Sequence, residues 1–445
     1  MHTITSDHEG HSVPAPIEQQ QVKGLLRTFI ALRHRNFRLF WFGQMISLIG
    51  TWMQSIGQAW LVLTLTHSAW LLGVVGALQF LPVLILALFG GVLADRLPKR
   101  PMLLFTQSFA LLQAAVLWVL VATGQVQIWH VMVLASLLGL TNSLDMPTRQ
   151  AFVVEMVGRE DLPNAIALNS SLFNMARVLG PGLGGLIIAW LGVAPLFLLN
   201  AFSFIAVIVG LALIDTTKLY SHNTLPGAKQ IAAKQTVTKQ STWQSLREGL
   251  AYTARTPSAL MVIVVIGAIS LFGINFNVIL PLFATEVLHS GPQGFGFLSS
   301  AFGLGSLASA LWLAWGNNRP RIRPMLVGAL AFCVLEIFFA ISHLYLLSLL
   351  LIASVGFAQI AFSATANTTL QTVAPDHLRG RVMSVYMMVF AGSVPFGNLF
   401  AGGLAHLYGA QFSLFVGAVL SLIVAVVAWI YRKPAEKSLA ESTAL

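Results

Sequence analysis

Apolar runs of about 20 residues recur from Phe37 to Tyr431, each long enough, at about 1.5 Å per residue, to cross roughly 30 Å of hydrocarbon. The chain is 56% hydrophobic and 9% charged, against about 25% charged residues in an ordinary soluble domain. That balance argues against a water-soluble fold, and lipid-facing barrels need short alternating segments instead of long runs. The expectation is an all-α membrane protein with twelve transmembrane helices. They lie near 37–66, 70–94, 101–123, 128–154, 164–190, 194–214, 259–288, 292–315, 322–342, 345–371, 380–406 and 410–431.

The net charge of +10 would suggest nucleic acid in a soluble protein, but here its placement carries the information. Lys23 to Arg38, Arg96 to Arg100, Arg149 and Arg159, Lys218 to Arg255, Arg319 to Arg323, Arg379 and Arg381, and Arg432 to Lys437 all fall in alternate connections. The intervening connections, "THSAW" (66–70), "TGQVQI" (123–128) and "LHSGPQG" (288–294), hold no Lys or Arg. By the positive-inside rule both termini are expected in the cytoplasm, a parity that fits twelve spans. The first 36 residues show no apolar region followed by a small-residue cleavage site, so no removable signal is read there. Cys333 is the one cysteine, which excludes an intrachain disulfide.

The chain divides into a cytoplasmic tail (1–36), a six-helix half (37–214), a cytoplasmic linker (215–258), a second six-helix half (259–431) and a C-terminal tail (432–445). The linker is rich in Lys, Gln, Thr and Ser, with one surface helix expected from Trp243 to Ala254. A weak repeat relates the halves. "VGREDLPNAIALNSSLF" (157–173) lies over "VAPDHLRGRVMSVYMMV" (373–389), and "RPML" occurs at 100–103 and 323–326. Two pseudo-symmetric halves with a site at their interface are a transporter plan.

Two motifs sharpen this. "GGVLADRLPKRPML" (90–103) supplies Gly91, Asp95, Arg96 and Arg100 between the second and third spans, and "GPGLGG" (180–185) supplies Gly180, Pro181, Gly184 and Gly185 in the fifth. On these the sequence resembles the major facilitator superfamily. The first motif resembles its signature loop, with Pro98 where a glycine is usual; the resemblance implies a cytoplasmic gate that latches the outward-facing state. The second resembles the fifth-span motif of its antiporters and exporters, with Ala167 and Ala176 in place of two upstream glycines, and implies a bendable contact that gates the periplasmic side. Static small-residue packing is the other reading of the same residues. "LDMPTRQAF" (144–152), "NAIALNSSLFNMARVLGP" (164–181) and "PLFLLNAFSF" (195–204) are similar to a bacterial exporter branch, that of the enterobactin exporter. In that light Asp145 and Arg149 join the gate, with Asp145 pairing with Arg96.

Arg177 stands inside the fifth span, where an arginine costs about 2.5 to 3.5 kcal/mol on insertion scales and avoids lipid. Ser170, Asn174, Pro181 and Gly184 share its helical face. Arg177 is expected to bind an anionic substrate group, to pair with a titrating carboxylate, or to hold a permanent ion pair. Gln44, Ser47, Thr51, Gln54 and Gln58 form a polar stripe on span one. The resemblance implies a cavity lined by spans 1, 4, 7 and 10, which adds Asn275 and Asn277 of span seven and Gln359, Ser363 and Asn367 of span ten. Interhelical amide bonding is the rival role for each. Asp145 and Glu336, the latter read as roughly mid-depth in span nine, are the proton-coupling candidates. The resemblance places ninth spans at the periphery, and an arginine that many drug–proton antiporters carry in span four is absent from "VMVLASLLGLTNSL" (131–144).

No Walker-type phosphate loop, His-Glu-x-x-His or Gly-x-Ser-x-Gly occurs. The expectation is a secondary active exporter of a bulky amphipathic organic molecule, a siderophore or a drug, driven by the proton gradient through alternating access. It needs no cofactor or metal, acts as a monomer in the bacterial inner membrane, and has no catalytic residues or nucleic-acid partner. Lipid or lysophospholipid transport by the same fold is the alternative, with a membrane-embedded enzyme a remote third.

Overall fold

The structure is a computed structural model describing residues 25–220, 242–315 and 321–444; side chains are described for all of these except 25–28, 87–96, 242–245 and 442–444. Among the described residues there are helices and no strands. The first six are α1 (Arg35–Thr66), α2 (Ala69–Arg96), α3 (Lys99–Ala122), α4 (Ile128–Val157), α5 (Leu162–Leu191) and α6 (Ala194–Ala212). After the linker come α7 (Thr242–Arg255), α8 (Pro257–Phe272), α9 (Phe276–Leu282), α10 (Gly291–Trp315), α11 (Ile322–Ala340), α12 (Tyr345–Val373), α13 (Arg379–Tyr408), α14 (Ala410–Ile430) and α15 (Arg432–Ala444).

Among the described residues eleven segments are long and apolar enough to cross a membrane, α8 and α9 together forming one of them. The twelfth crossing is α1, whose 32 residues have the length while Arg35, Arg38, Gln44, Gln54 and Gln58 lower its hydropathy. Aromatic side chains stand exposed at both ends of the bundle, Trp190 (71% exposed) and Tyr408 at one, Trp315 (92%) and Tyr431 at the other. Such rings settle at the two membrane–water interfaces. Twelve crossings return the chain to the side from which it entered, and the opposite side is called distal below.

Span seven differs from the continuous helix that its hydropathy suggests. It stops at Phe272, runs unwound through Gly273, Ile274 and Asn275, resumes as α9 and ends in a π-turn, Phe283–Val287. Glycine is a poor helix former. The amide of Asn275 donates to the Leu271 carbonyl at 2.9 Å and so competes with the helical ladder. Beyond the last crossing the chain stays ordered, since α15 buries Ala435 and Leu439, and Arg323 donates to Glu436 at 2.9 Å.

Polar groups also hold the first half together. Gln54 of α1 donates to Gln113 of α3 at 3.0 Å and accepts from Asn200 of α6 at 2.7 Å, all three buried. Ser203 donates to the Asn200 side-chain oxygen at 2.9 Å. Gly50 leaves the room: a Cβ there would lie 2.6 Å from both Asn200 Oδ1 and Ser203 Oγ.

The halves meet mainly through α2 with α13, α5 with α10, and α9 with α1 and α2. Small residues set the first two contacts. A Cβ on Gly185 would lie 2.6 Å from the Pro292 carbonyl and 2.9 Å from Gly296 Cα. One on Gly402 would lie 2.8 Å from the Ala69 carbonyl and 2.9 Å from Gly73 Cα. Both contacts lie where α2 and α10 begin and α5 and α13 end, which is the distal side. They continue inward to Gly303 beside the Arg177 carbonyl and to Gly392 beside Leu84. The molecule is therefore sealed distally to about the middle of its depth.

Two outcomes follow. Gly185→Val cannot keep the α5–α10 approach, so spin labels on Leu191 and Gln293 move apart in pulsed electron resonance; an unchanged distance contradicts the seal. Asn200→Ala takes away the donor to the Gln54 side-chain oxygen, while Ser203 keeps the backbone carbonyl of residue 200, and lowers stability in detergent by about 1 kcal/mol; an unaltered unfolding midpoint contradicts the network.

Candidate functional site

Arg177 occupies the inner edge of the distal seal, halfway along α5. Proline 181 has no N–H, so the Arg177 carbonyl loses its partner in the helical ladder. That carbonyl faces the Cα of Gly303 on α10, where a Cβ would intrude to 2.9 Å. The next carbonyl, Val178, accepts a hydrogen bond from Ser300 of α10 at 2.6 Å. The opposite half thus compensates the backbone that the proline disturbs, and the small residues of "GPGLGG" permit the approach. Gly180 and Gly184 serve α1 in the same way: a Cβ on Gly180 would lie 2.5 Å from Trp52 Cβ, and one on Gly184 would lie 3.4 Å from Met53 Cα.

The guanidinium of Arg177 is half-buried between two aromatic rings. Its central carbon stands 4.8 Å from the ring centre of Phe302 on α10 and 5.9 Å from that of Trp52 on α1. Phe173 braces Trp52 edge-on, with ring centres 5.7 Å apart. Among the described residues no carboxylate pairs with Arg177. Cation–π contact is worth about 0.5 to 2 kcal/mol or more as the site dries. That offsets part of the cost of the charge and leaves its outward N–H groups free to donate. Along the same face toward the termini, Asn174 is half-buried and Ser170 exposed. Polar groups on a membrane helix face the interior or a cavity, not lipid.

Ser47 is buried, and the remaining predicted positions separate into two groups. Gln44, Gln359 and Ser363 are buried or half-buried, and each has a side-chain oxygen without a partner; Asn275 likewise keeps Oδ1 free. Asn277 is exposed, and Asn367 is half-buried and accepts from Gln371. These six have hydrogen-bonding capacity to offer a ligand. In the second group, Gln54 is consumed by Gln113 and Asn200, Gln58 donates to Gln79 of α2 at 3.2 Å, and Thr51 donates to the Ser47 carbonyl at 2.8 Å. Asn174 also turns its amide onto its own helix, at the Ser170 carbonyl. Periodicity placed the α1 positions on one face without revealing which had partners on neighbouring helices.

The gate residues lie at the termini's side. Gly91, Asp95 and Arg96 belong to the last turns of α2, and their side chains lie outside the described residues. Arg100 donates to the Leu211 and Ala212 carbonyls, both at 2.8 Å, and so caps α6 within its own half. Asp145 is buried and accepts from Thr106 at 2.8 Å, from Gln107 at 2.7 Å and from Arg149 one turn away. The partners it has among the described residues come from α3 and α4; Arg96, the partner suggested by the sequence, has its side chain outside them. Lys99 adds a neighbouring tie to Glu155 at 3.3 Å. Glu336 is fully buried in α11, with both carboxylate oxygens unpartnered. It lies four residues from the distal end of that helix, farther out than its predicted mid-depth.

Sequence reasoning missed Trp52, Phe302 and Ser300. Their signal was available only as spacing: Trp52 follows Thr51 on the polar stripe of α1, and Ser300 and Phe302 flank the small-residue face of α10.

Comparison with known proteins agrees with this architecture. A nucleoside transporter, NupG, superposes with a TM-score of 0.69 at 15% identity, covering 90% of this chain and 99% of that one. The chain is 24% identical to the staphyloferrin A transporter of Staphylococcus aureus, over 91% of this chain and 98% of that one. It is 29% identical to the multidrug efflux pump Tap of Mycolicibacterium fortuitum (85% and 91% covered) and 24% identical to the enterobactin exporter EntS of Escherichia coli (90% and 94%). Residues 26–444 match the family described as transmembrane secretion effector. The protein is a multi-pass secondary transporter, not an enzyme, and the chain belongs to the transmembrane secretion effector family of the major facilitator superfamily.

Proposed function

We propose that this transporter exports a bulky, amphipathic and anionic organic molecule, and that Arg177 is the group its negative charge meets. One observation carries the reading: a cation at the inner edge of the seal, held by Trp52 and Phe302 and matched by no carboxylate among the described residues. A charge so placed is best compensated by something that arrives and leaves. The flanking rings suit a cargo with flat apolar parts, and the free oxygens of Gln44, Asn275, Gln359 and Ser363 suit its hydrogen-bond donors. Relatives named for the siderophores staphyloferrin A and enterobactin fit this chemistry better than cationic dyes do.

Export follows from alternating access between the halves. Cargo enters from the termini's side, where the polar face below Arg177 is accessible, and leaves when α5 parts from α10 and α2 from α13. The placement of Lys and Arg supports a reading in which that entry side, with both termini, faces the cytoplasm across a bacterial inner membrane. The energy source in this reading is the proton gradient, and each monomer encloses its own path.

Thermal unfolding of the purified protein with staphyloferrin A, enterobactin and the cationic dye ethidium tests the proposal. The siderophores raise the midpoint and ethidium does not; Arg177→Ala abolishes the rise. Arg177→Lys restores little of it, because an ammonium does not reproduce the planar stacked contact. An undiminished rise in Arg177→Ala removes Arg177 from the binding site, and stabilisation by ethidium alone overturns the anionic cargo.

A further inference from the structure

Glu336 abuts the one place where span seven is unwound. A Cβ added to Gly273 would lie 3.1 Å from Glu336 Oε2 and 2.8 Å from the Phe332 ring, so the carboxyl group rests directly against the glycine backbone. The group is 0% exposed, and neither oxygen has a partner. Two residues further on, Asn275 is 3% exposed and also keeps Oδ1 free.

Among the described residues no cation faces this carboxyl. Along its own helix, Cys333 lies one turn away and Arg323 is at the far end, bonded to Glu436. The packed segments α8, α9 and α14 contain no Asp, Glu, Lys, Arg or His, and α12 contributes only Tyr345 at its distal start. The remaining groups lie at the ends: Glu286 accepts from the Ala410 backbone, His343 meets Gln411, and Arg432, Lys433, Glu436, Lys437 and Glu441 of α15 stand at the termini's side. An ionised carboxylate left unpaired among apolar groups is strongly disfavoured, whereas the neutral acid leaves only a hydroxyl to satisfy.

The broken span ties this carboxyl to the gate. α9 is the piece of span seven that touches α1 and α2 of the first half. Parting the halves distally therefore pulls on α9, and the unwound Gly273–Asn275 segment beside Glu336 is where the chain can yield. We infer that Glu336 is the proton-binding site of the transport cycle, taking up a proton as the distal seal closes around the break in span seven. The reaction is addition of one aqueous proton to a carboxylate oxygen, giving a neutral acid, and its reversal when the segment becomes wet. Ser270, whose buried hydroxyl is likewise unpartnered, lies one turn before Gly273 on the same face and leads back toward the termini's side. The other acid considered for this role, Asp145, already has Thr106, Gln107 and Arg149 around it.

This inference rests on the proton-driven reading above, and two measurements keep their failures apart. Infrared difference spectra of the full-length protein in lipid, recorded between acid and alkaline pH, need no cargo. Wild-type protein shows the carbonyl stretch of a protonated, dehydrated carboxylic acid; Glu336→Gln lacks that band and Glu336→Asp shifts it. The second measurement uses enterobactin in proteoliposomes. Glu336→Gln retains exchange of labelled enterobactin and loses its accumulation against a pH gradient. A band that persists unchanged in Glu336→Gln, or gradient-driven accumulation undiminished in that variant, overturns the assignment. Absence of any enterobactin movement in wild-type vesicles counts against the proposed cargo, while the spectra still decide Glu336.

Discussion

A guanidinium inside a bilayer cannot face acyl chains, and the rest of this structure can be read as the arrangement that keeps one away from them. Arg177 meets two rings in place of a carboxylate. One ring comes from each half, Trp52 from α1 and Phe302 from α10, so the cation bridges the interface that must open. A permanent ion pair would resist that opening by the full cost of separating buried charges, whereas cation–π contacts are weaker and can be replaced by water or by cargo.

The stretch from Arg177 to Gly185 also supplies one side of the seal. Pro181 disturbs the ladder at the arginine's own carbonyl, and Gly303 and Ser300 of the other half attend to the neighbouring backbone. Gly185 meets Gly296 at close range further out, and Gly73 meets Gly402 in the pseudo-symmetric position. Contacts made of backbone and small side chains carry no deep interdigitation, so the helices can separate without unlocking large groups. In the function proposed above, the charge and the small-residue contact share a stretch because the ligand site and the gate are adjacent on one helix.

Much of this was legible before any fold was known. Twelve apolar runs and alternating basic loops fix the number of crossings, and Arg177 stands out because a lone cation in hydrocarbon demands an explanation. The break in span seven was not legible, because hydropathy is blind to Gly273 and Asn275 within an otherwise apolar run. Helical spacing put Gln54 on the same stripe as Gln44, yet one is spent on Gln113 and Asn200 while the other keeps a free oxygen. That distinction depends on what neighbouring helices present. Asp145 and Glu336 looked alike as acids within spans for the same reason: only packing shows that one is surrounded by donors and the other by none.

The most direct test places a cysteine at position 177, with Cys333 replaced by alanine, and measures its reaction with a membrane-impermeant thiol reagent from each side of oriented vesicles. Labelling from the termini's side in the resting protein, moving to the distal side when the α5–α10 contact is broken, is the result expected. A position sealed from both aqueous phases in every condition would mean that Arg177 is a fixed structural charge, and the account built on it would fail.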